Sequence, residues 1–368
     1  MNIHGTPTRT IRLLPGRSAV EIIDQTLLPH RLEFRVLRSL EDATEAILTM
    51  RVRGAPLIGA TAAYGVALAL TEDAPEGRLE SACARLLATR PTAVNLRWAV
   101  ERMRDRLAAL QFAQRREAAW AEAAALCDED VTLNQAIGRH GLAVIRRQYE
   151  KSPRTVNVMT HCNAGWLATV DWGTALAPVY AAFDVGIPVH VWVSETRPRN
   201  QGAALTAWEL GQHGVPYTVV ADNAAGHLMQ HGRVDIVIVG ADRVAANGDT
   251  ANKIGTYLKA LAARDNGVPF YVAVPGPSID WRLVDGAGIP IEQRAAAEVT
   301  HIQGEDGDGR LTSVRLTPTH SEAANPAFDV TPARLVTALI TERDVCPATH
   351  SGLLQCYPQA GRGARRTA

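Results

Sequence analysis

The 368-residue chain has few cysteines, few aromatic residues and no excess charge of either sign. Its five cysteines are widely spaced without a Cys-x-x-Cys pair, which argues against both a disulfide framework and a zinc site. Aromatic residues make up 5% of the chain, and 38 basic residues balance 38 acidic ones, so no basic surface for nucleic acid is indicated. We therefore expect a protein that holds no metal ion and binds no nucleic acid.

The sequence also lacks a secretory leader and a membrane-spanning run. Residues 1–7 have neither a basic start nor an apolar stretch, and no apolar run approaches the roughly 18 residues of a membrane span. Together with the unpaired cysteines, these absences predict a cytoplasmic protein with reduced thiols and no membrane association. No Gly-x-Gly-x-x-Gly follows the first strand of the α/β region, which argues against a Rossmann-type dinucleotide site, and we expect no cofactor.

The composition, 46% hydrophobic and 21% charged, fits a globular chain long enough for two domains. Residues 1–150 are predicted to form a smaller, mostly helical N-terminal domain with short β-strands. Alternating apolar residues between positions 20 and 36 indicate the strands, and long segments rich in Ala, Leu, Arg and Glu indicate the helices. Residues 351–368, which include three arginines, are predicted to be a C-terminal tail.

Residues 151–350 are predicted to form a Rossmann-like catalytic domain of the α/β class, with a parallel sheet and helices on both of its faces. Short apolar runs there alternate with helix-like segments, which is typical of βαβ units. The predicted helices include residues 253–266 and a closing helix over residues 335–342. The predicted strands are residues 156–160, 189–193, 217–220, 236–239 and 270–274.

Polar side chains follow three of these predicted strands. Cys162 follows the first strand within the run His-Cys-Asn-Ala-Gly, Gln201 follows the second, and Asp242 follows the fourth. Because parallel strands bring their C-terminal ends together, we expect these three side chains to converge at one crevice. A lone aspartate after a strand is more often a helix cap than a catalyst, but three such clusters together favour a functional site.

Two arginines are candidates for binding an anion. Arg53 precedes Gly-Ala-Pro at the start of an apolar helix, and the free N–H groups of a helix start can cradle an anion together with an arginine. Taken alone, this pattern more often marks a solvated helix start. Arg90 stands at a break between two helices, where it could reach a phosphate or simply cap the corner.

The candidate groups suit acid–base chemistry on a small phosphorylated substrate. Asn252 and Lys253 add an amide and an amine to the thiol, the carboxylate and the arginines. His161 is expected to point away from Cys162 if the strand continues, so a cysteine-hydrolase triad is poorly supported. Aldose–ketose isomerisation requires only that one group gives a proton and another takes one.

Six motifs occur in order along the chain: Arg53-Gly-Ala-Pro-Leu-Ile-Gly, Arg90-Pro-Thr-Ala-Val-Asn-Leu, Thr160-His-Cys-Asn-Ala-Gly, Glu195-Thr-Arg-Pro, Gly240-Ala-Asp-Arg-Val and Gly248-Asp-Thr-Ala-Asn-Lys-Ile-Gly-Thr-Tyr. Together they resemble the S-methyl-5-thioribose-1-phosphate isomerases of methionine salvage. That family is related to the alpha, beta and delta subunits of translation initiation factor 2B. The resemblance extends over about residues 14–345 of the chain.

The resemblance implies an aldose–ketose isomerase, an intramolecular oxidoreductase that converts 5-methylthioribose 1-phosphate to 5-methylthioribulose 1-phosphate. It implies that Asp242 is the proton donor, that Cys162 assists at the reacting carbons, and that the protein is a homodimer. Hydrogen would pass from C2 to C1 of the sugar either through a cis-enediolate or as a hydride. The implied substrate-binding residues are Arg53, Gly54, Ala55, Arg90, Gln201, Asn252 and Lys253.

Two alternative functions stay open at this point. The first is an isomerase of a related sugar 1-phosphate, such as 5-deoxyribose 1-phosphate, because the chain departs from the expected pattern near the site. Ser194, for example, stands where an aspartate is common. The second is a non-catalytic regulatory subunit like the initiation-factor relatives, although a regulatory subunit has no need of both Cys162 and Asp242.

Overall fold

The computed structural model describes residues 1–71, 74–90 and 93–360. Pro91 and Thr92 of the Arg90 motif lie outside the described residues, as do residues 361–368 of the predicted tail. Within the described ranges, no helix is both long enough and apolar enough to cross a membrane.

The N-terminal region combines short strands with five helices. β3, β4 and β5 form an antiparallel sheet in that order, and β1 pairs with β2. The strands are β1 (Asn2–Ile3), β2 (Thr6–Pro7), β3 (Ile11–Leu13), β4 (Val20–Ile23) and β5 (Phe34–Leu37). The helices are α1 (Leu40–Leu48), α2 (Ala55–Ala69), α3 (Arg78–Thr89), α4 (Val94–Ala108) and α5 (Phe112–Lys151).

Helix α2 lies at the centre of this helical region and is apolar all around its circumference. It packs against α1, α3, α4 and α5, and nearly every one of its side chains is buried. An added Cβ at Gly59 would lie 2.9 Å from the carbonyl oxygen of Asn95 on α4, so the glycine permits close helix packing. A helix that is apolar on every side is stable only when neighbours cover it completely. The bundle therefore fixes the position and direction of the α2 N-terminus.

The C-terminal region is built on a seven-stranded sheet in the order β18-β17-β12-β9-β6-β7-β8. All neighbouring pairs are parallel except β17 with β18. The predicted α/β class with a parallel sheet is confirmed. The strands are β6 (Val156–His161), β7 (Val189–Ser194), β8 (Tyr217–Val220), β9 (Ile236–Val239), β12 (Phe270–Ala273), β17 (Ala338–Ile340) and β18 (Val345–Cys346). The larger helices are α6 (Ala177–Asp184), α7 (Ala207–His213), α8 (Ala224–Gln230) and α9 (Thr256–Asp265).

A second sheet, in the order β13-β10-β11-β16, lies beside the main one and carries part of the site. Its strands are β10 (Arg243–Ala245), β11 (Thr250–Lys253), β13 (Ile279–Asp280) and β16 (Phe328–Thr331). Further elements are α10 (Ala297–Thr300), the hairpin of β14 (His301–Glu305) with β15 (Leu311–Arg315), and α11 (His350–Cys356).

Two segments that the sequence predicts to be helical contain β-strands of these sheets. Lys253 was expected at the start of a helix but belongs to β11, which pairs with both β10 and β16, and α9 begins only after Gly255 at φ +99°. The closing helix predicted over residues 335–342 is wrong, because residues 338–340 form β17 beside β12. Both segments are short and deeply buried, and periodicity does not separate a buried strand from a buried helix at that length.

The domain boundaries stay predictions. Helix α5 ends at Lys151 and β6 begins at Val156, close to the division expected at residue 150. Part of the predicted tail is ordered as α11, whose Leu353 is fully buried against the main-sheet core.

Candidate active site

A narrow cleft with a cavity volume of about 60 Å³ lies between the start of α2 and the C-terminal ends of the main-sheet strands. Both the N-terminal helical region and the C-terminal sheets contribute to its wall. All the residues that the sequence predicted for the site line this one cleft. They are Arg53, Gly54, Ala55, Arg90, Cys162, Gln201, Asp242, Asn252 and Lys253.

The N-terminus of α2 forms one wall of the cleft. Gly54 precedes the helix at φ +88°, and a Cβ there would lie 2.4 Å from the carbonyl oxygen of Ala168. A side chain at that position would therefore be excluded both by its backbone conformation and by contact. Pro56 in the first helical turn gives up an N–H that has no partner within a helix, so Pro56 costs nothing there. The remaining first-turn N–H groups lie next to Arg53 at the positive end of the helix dipole.

Cys162 lies in a strained turn directly after β6. Its φ is +66°, an uncommon conformation for a residue with a Cβ. Two side chains hold the backbone there: the Cys162 N–H donates to Thr196 Oγ1 at 2.8 Å, and Thr206 Oγ1 donates to the Cys162 carbonyl at 2.7 Å. A strained residue at a site persists only where its surroundings fix it in this way. The thiol is consequently held at the C-terminal end of β6.

Gln201 is positioned by an irregular helix after β7. Residues 202–206 form a short π-helix, a feature that often occurs at functional sites. A Cβ on Gly202 would lie 1.8 Å from the Ser194 carbonyl oxygen, so the helix start can approach β7 only with glycine there. Gln201 is buried, and its Oε1 has no hydrogen-bond partner in the part of the chain that the structure describes. A buried amide oxygen without a partner is costly, which suits a ligand donor in the cleft.

Asp242 follows β9, on the strand adjacent to the one that carries Cys162. Its backbone N–H donates to the Ala251 carbonyl at 2.9 Å, which ties it to β11. Burial raises the pKa of the Asp242 carboxyl, while Lys253 and Arg53 oppose that rise. Burial likewise raises the pKa of the Cys162 thiol, again opposed by Arg53 and Lys253. The charges of Cys162 and Asp242 both act on the pKa of Lys253, so the three side chains form one electrostatic cluster.

Lys253 is the buried cation of this cluster. It lies on β11, and its Nζ is 4.5 Å from the centre of the Phe328 ring. Burial lowers the pKa of Lys253, and the negative charge available at Cys162 and Asp242 opposes that lowering. The adjacent Asn252 donates through Nδ2 to Thr256 Oγ1 at 3.0 Å, which fixes the direction of its carbonyl oxygen.

A pair of arginines bound to one carboxylate completes the cleft. Arg90 Nη2 donates to Glu292 at 3.0 Å, and Arg294 Nε donates to the other oxygen of Glu292 at 3.1 Å. Arg90 Nε is buried with no protein partner among the described residues. The two guanidinium groups lower the pKa of Glu292 and hold it ionised. An anionic ligand would therefore meet several fixed cations and at least one unused N–H donor.

Arg294 is a cleft residue that the sequence analysis missed. It lies in an irregular segment with no motif around it, so no local signal identifies it. Asn163 was also missed, although it stands within the motif that contains Cys162. The Arg53 guanidinium donates hydrogen bonds to both the side-chain oxygen and the backbone carbonyl of Asn163.

The histidine beside Cys162 is turned away from the cleft, as expected. His161 Nε2 lies 2.8 Å from the carbonyl oxygen of Ile254, and its Nδ1 lies 3.1 Å from Ser194 Oγ. Burial lowers the pKa of His161. The imidazole therefore serves a structural hydrogen-bond role rather than acting as a base for the thiol.

The cleft thus combines a thiol and a carboxyl of raised pKa with an anion-binding wall. A carboxyl whose pKa is raised keeps its proton to higher pH and can donate it. The arginines and the start of α2 suit a phosphate group, and the amides of Gln201 and Asn252 suit sugar hydroxyls. This arrangement supports acid–base chemistry on a phosphorylated sugar.

The chain matches a known family and known proteins along most of its length. Residues 51–348 match the Initiation factor 2 subunit family. The chain is 62% identical to the methylthioribose-1-phosphate isomerase of Rhodospirillum rubrum, over 100% of this chain and 99% of that protein. The crystal structure of 5-methylthioribose 1-phosphate isomerase from Pyrococcus horikoshii OT3 superposes with a TM-score of 0.82 at 40% identity, covering 96% of each chain.

A third comparison involves a protein with a different name. The structure titled translation initiation factor eIF-2B, subunit delta, from A. fulgidus superposes with a TM-score of 0.78 at 38% identity, covering 96% of this chain and 100% of that one. The resemblance inferred from the six motifs is confirmed. The chain belongs to the Initiation factor 2 subunit family and, within it, to the methylthioribose-1-phosphate isomerases.

Proposed function

We propose that this chain catalyses the aldose–ketose isomerisation of 5-methylthioribose 1-phosphate to 5-methylthioribulose 1-phosphate in methionine salvage. The observation that carries the proposal is the convergence of the motif residues on one cleft. That cleft occurs in a chain whose relatives of 62% and 61% identity are methylthioribose-1-phosphate isomerases. The roles given below to single residues are part of the proposal.

The substrate phosphate binds at the start of α2. Arg53 and the first-turn N–H groups of α2 supply fixed donors, and Arg90 adds the Nε–H that has no protein partner within the described ranges. Lys253 and Arg294 add positive charge. The negative charge of a phosphate dianion offsets these positive charges, which otherwise lower the pKa values of Asp242 and Cys162. Binding of substrate therefore favours the protonated form of Asp242.

Ring opening is the step that needs Asp242. Because C1 of the sugar carries phosphate, the ring cannot open as a free hemiacetal does, and the ring oxygen must be protonated as the C1–O bond breaks. A buried carboxyl whose pKa is raised is a suitable donor. Hydrogen then passes from C2 to C1 next to Cys162, which assists at these carbons. The C2 hydroxyl loses its proton, which replaces the one that Asp242 gave to the ring oxygen. The result is the ketone at C2 and an unchanged phosphate.

The competing substrate is 5-deoxyribose 1-phosphate, which lacks the methylthio group. We expect kcat/KM to be about 10- to 100-fold higher for methylthioribose 1-phosphate, because burial of the extra apolar group contributes binding energy. Steady-state assays of both sugars with the same purified protein measure the ratio, with Asp242→Asn as a control for residual activity. Faster turnover of 5-deoxyribose 1-phosphate would reassign the substrate, and no turnover of either sugar would indicate a non-catalytic subunit.

Two further features stay predictions, the first from the family resemblance and the second from the sequence. They are a homodimeric assembly and a location in the cytoplasm. Analytical ultracentrifugation of the purified chain tests the first, and fractionation of its native cells tests the second.

A further inference from the structure

Glu209 on α7 is a buried carboxylate outside the cleft, connected to Arg53 by two successive hydrogen bonds through Asn163. Its side chain is fully buried, and it is absent from the cleft wall. No basic side chain contacts it directly among the hydrogen bonds and ion pairs of the described residues. A buried carboxylate of this kind is costly and needs a reason. Its hydrogen bonds lead to the cleft.

Four donors converge on the two oxygens of Glu209. Oε1 accepts from Asn163 Nδ2 at 2.7 Å and from the Leu167 N–H at 3.0 Å. Oε2 accepts from the Trp166 N–H at 2.8 Å and from the Tyr180 hydroxyl at 3.0 Å. Each oxygen faces a backbone N–H, which can only donate, so a proton on either oxygen would displace a hydrogen bond. The arrangement fits the ionised carboxylate.

The local sequence allows this close approach. A Cβ on Gly165 would lie 1.8 Å from Glu209 Oε2, so a glycine is required where the turn after β6 passes the carboxylate. The same turn contains Asn163. Burial raises the pKa of Glu209 to about 7, even though hydrogen bonds, led by that from Asn163, oppose the rise.

Asn163 connects this carboxylate to Arg53. While its Nδ2 donates to Glu209, its Oδ1 accepts from Arg53 Nη1, and its backbone carbonyl accepts from Arg53 Nη2 at 2.7 Å. An amide that donates to a carboxylate is polarised so that its oxygen becomes a better acceptor. The direction of the Asn163 amide is also fixed, because Arg53 can only donate and therefore faces its Oδ1.

We propose that Glu209 is a positioning residue that orients the Arg53 guanidinium for phosphate through Asn163. This inference rests on the proposed function, in which Arg53 binds the substrate phosphate. The alternative is a purely structural role, in which Glu209 only stabilises the turn formed by residues 163–167. The two roles differ in whether the effect of Glu209 on phosphate binding depends on Arg53.

A double-mutant cycle with inorganic phosphate as the probe separates the two roles. Isothermal titration calorimetry on the full chain measures the phosphate Kd of the wild type, Glu209→Gln, Arg53→Ala and the double variant. We expect Glu209→Gln to raise Kd about tenfold in the wild-type background and less than twofold in the Arg53→Ala background, as coupled residues do. In turnover assays we expect KM to rise by a similar factor while kcat stays within about threefold.

Tyr180→Phe is the matched control. It removes one donor from the same carboxylate without cutting the connection through Asn163, so we expect the phosphate Kd to change less than about twofold. If Glu209→Gln fails to fold, as judged by thermal unfolding, Asn163→Ala takes its place in the cycle with the same expected result.

Three results would overturn the inference. They are an unchanged phosphate Kd in folded Glu209→Gln, an equal change in both backgrounds, and an effect of Tyr180→Phe as large as that of Glu209→Gln. Failure of the proposed function is distinguishable, since it appears as a wild type that binds no phosphate or as Arg53→Ala binding phosphate as tightly as the wild type.

Discussion

Asp242→Asn is expected to lower kcat about 10³-fold while KM changes less than about threefold, because the substitution removes an acid but preserves size and polarity. Asparagine keeps hydrogen-bonding groups at the end of β9 but has no acidic proton to give to the ring oxygen. The buried position makes replacement by water difficult, since the carboxyl lies among Lys253, Arg53 and Arg90 rather than in open solvent. Steady-state kinetics with methylthioribose 1-phosphate measure both constants.

The pH dependence of kcat/KM provides a second readout of the same residue. Burial raises the folded pKa of Asp242 above its usual value, so the carboxyl holds its proton to higher pH than in an unfolded chain. A proton donor is active below its pKa, and kcat/KM should therefore fall as the pH rises through that raised pKa of the free enzyme. The same sign applies to stability: the folded state binds more protons between the two pKa values, so this group makes folding less favourable as pH rises.

Asp184→Asn is the matched control for this prediction. Asp184 ends α6 on the surface, where it pairs with His213 at 2.8 Å, and it does not line the cleft. We expect its kcat to stay within about twofold of the wild type. A folded Asp242→Asn variant with more than a tenth of the wild-type kcat would contradict the role of Asp242 as the donor.

Cys162→Ser is expected to lower kcat about 10²-fold with little change in phosphate affinity, because the thiol acts at the reacting carbons and not at the phosphate. Serine fits the same turn, but its hydroxyl is a far weaker acid than the thiol. The wild-type thiol already has a raised pKa from burial, partly offset by Arg53 and Lys253. Single-turnover kinetics together with phosphate titration measure the two quantities separately.

Cys356→Ser is the control for loss of a thiol in general. Cys356 lies at the end of α11, outside the cleft, and is only partly buried. We expect no change in kcat beyond about twofold. If Cys162→Ser retains the wild-type kcat, the thiol is only a packing residue at the end of β6, and the hydrogen transfer must proceed without it.

Solvent exchange during turnover distinguishes the two routes of hydrogen transfer. If Cys162 takes the C2 hydrogen as a proton through an enediolate, substrate deuterated at C2 loses label to water. If the hydrogen moves as a hydride, the label is retained at C1 of the ketose. Mass spectrometry of the product measures the fraction of deuterium retained at C1. Cys162→Ser should slow both routes.

The convergence of the site could be predicted from the sequence because parallel strands have a fixed geometry. Cys162 and Asp242 follow adjacent strands of the sheet, β6 and β9, whose C-terminal ends meet at one edge. The start of α2 could be placed as well, since Gly54 and Pro56 mark a helix N-terminus. These features depend on local sequence and on general rules of topology.

Other parts of the site depend on contacts between distant segments and leave no local signal. Arg294 lies in a loop that lines the cleft. Glu292, close to it in the chain, accepts a hydrogen bond from Arg90, which lies 202 residues earlier. Glu209 looks like an ordinary polar residue on a helix until the turn after β6 is folded against it. Lys253 was placed in a helix because the four-residue strand β11 is too short to show a period.

The central claim is that the sugar ring lies between Asp242 and Cys162 with its phosphate at the start of α2. A crystal structure of the Asp242→Asn variant with methylthioribose 1-phosphate tests this claim most directly, because the slow variant preserves the substrate. We predict the phosphate against Arg53 and the α2 N-terminus, with the ring oxygen about 2.6–3.2 Å from the side chain at position 242. A sugar bound outside this cleft, or one whose ring oxygen faces away from position 242, would contradict the account.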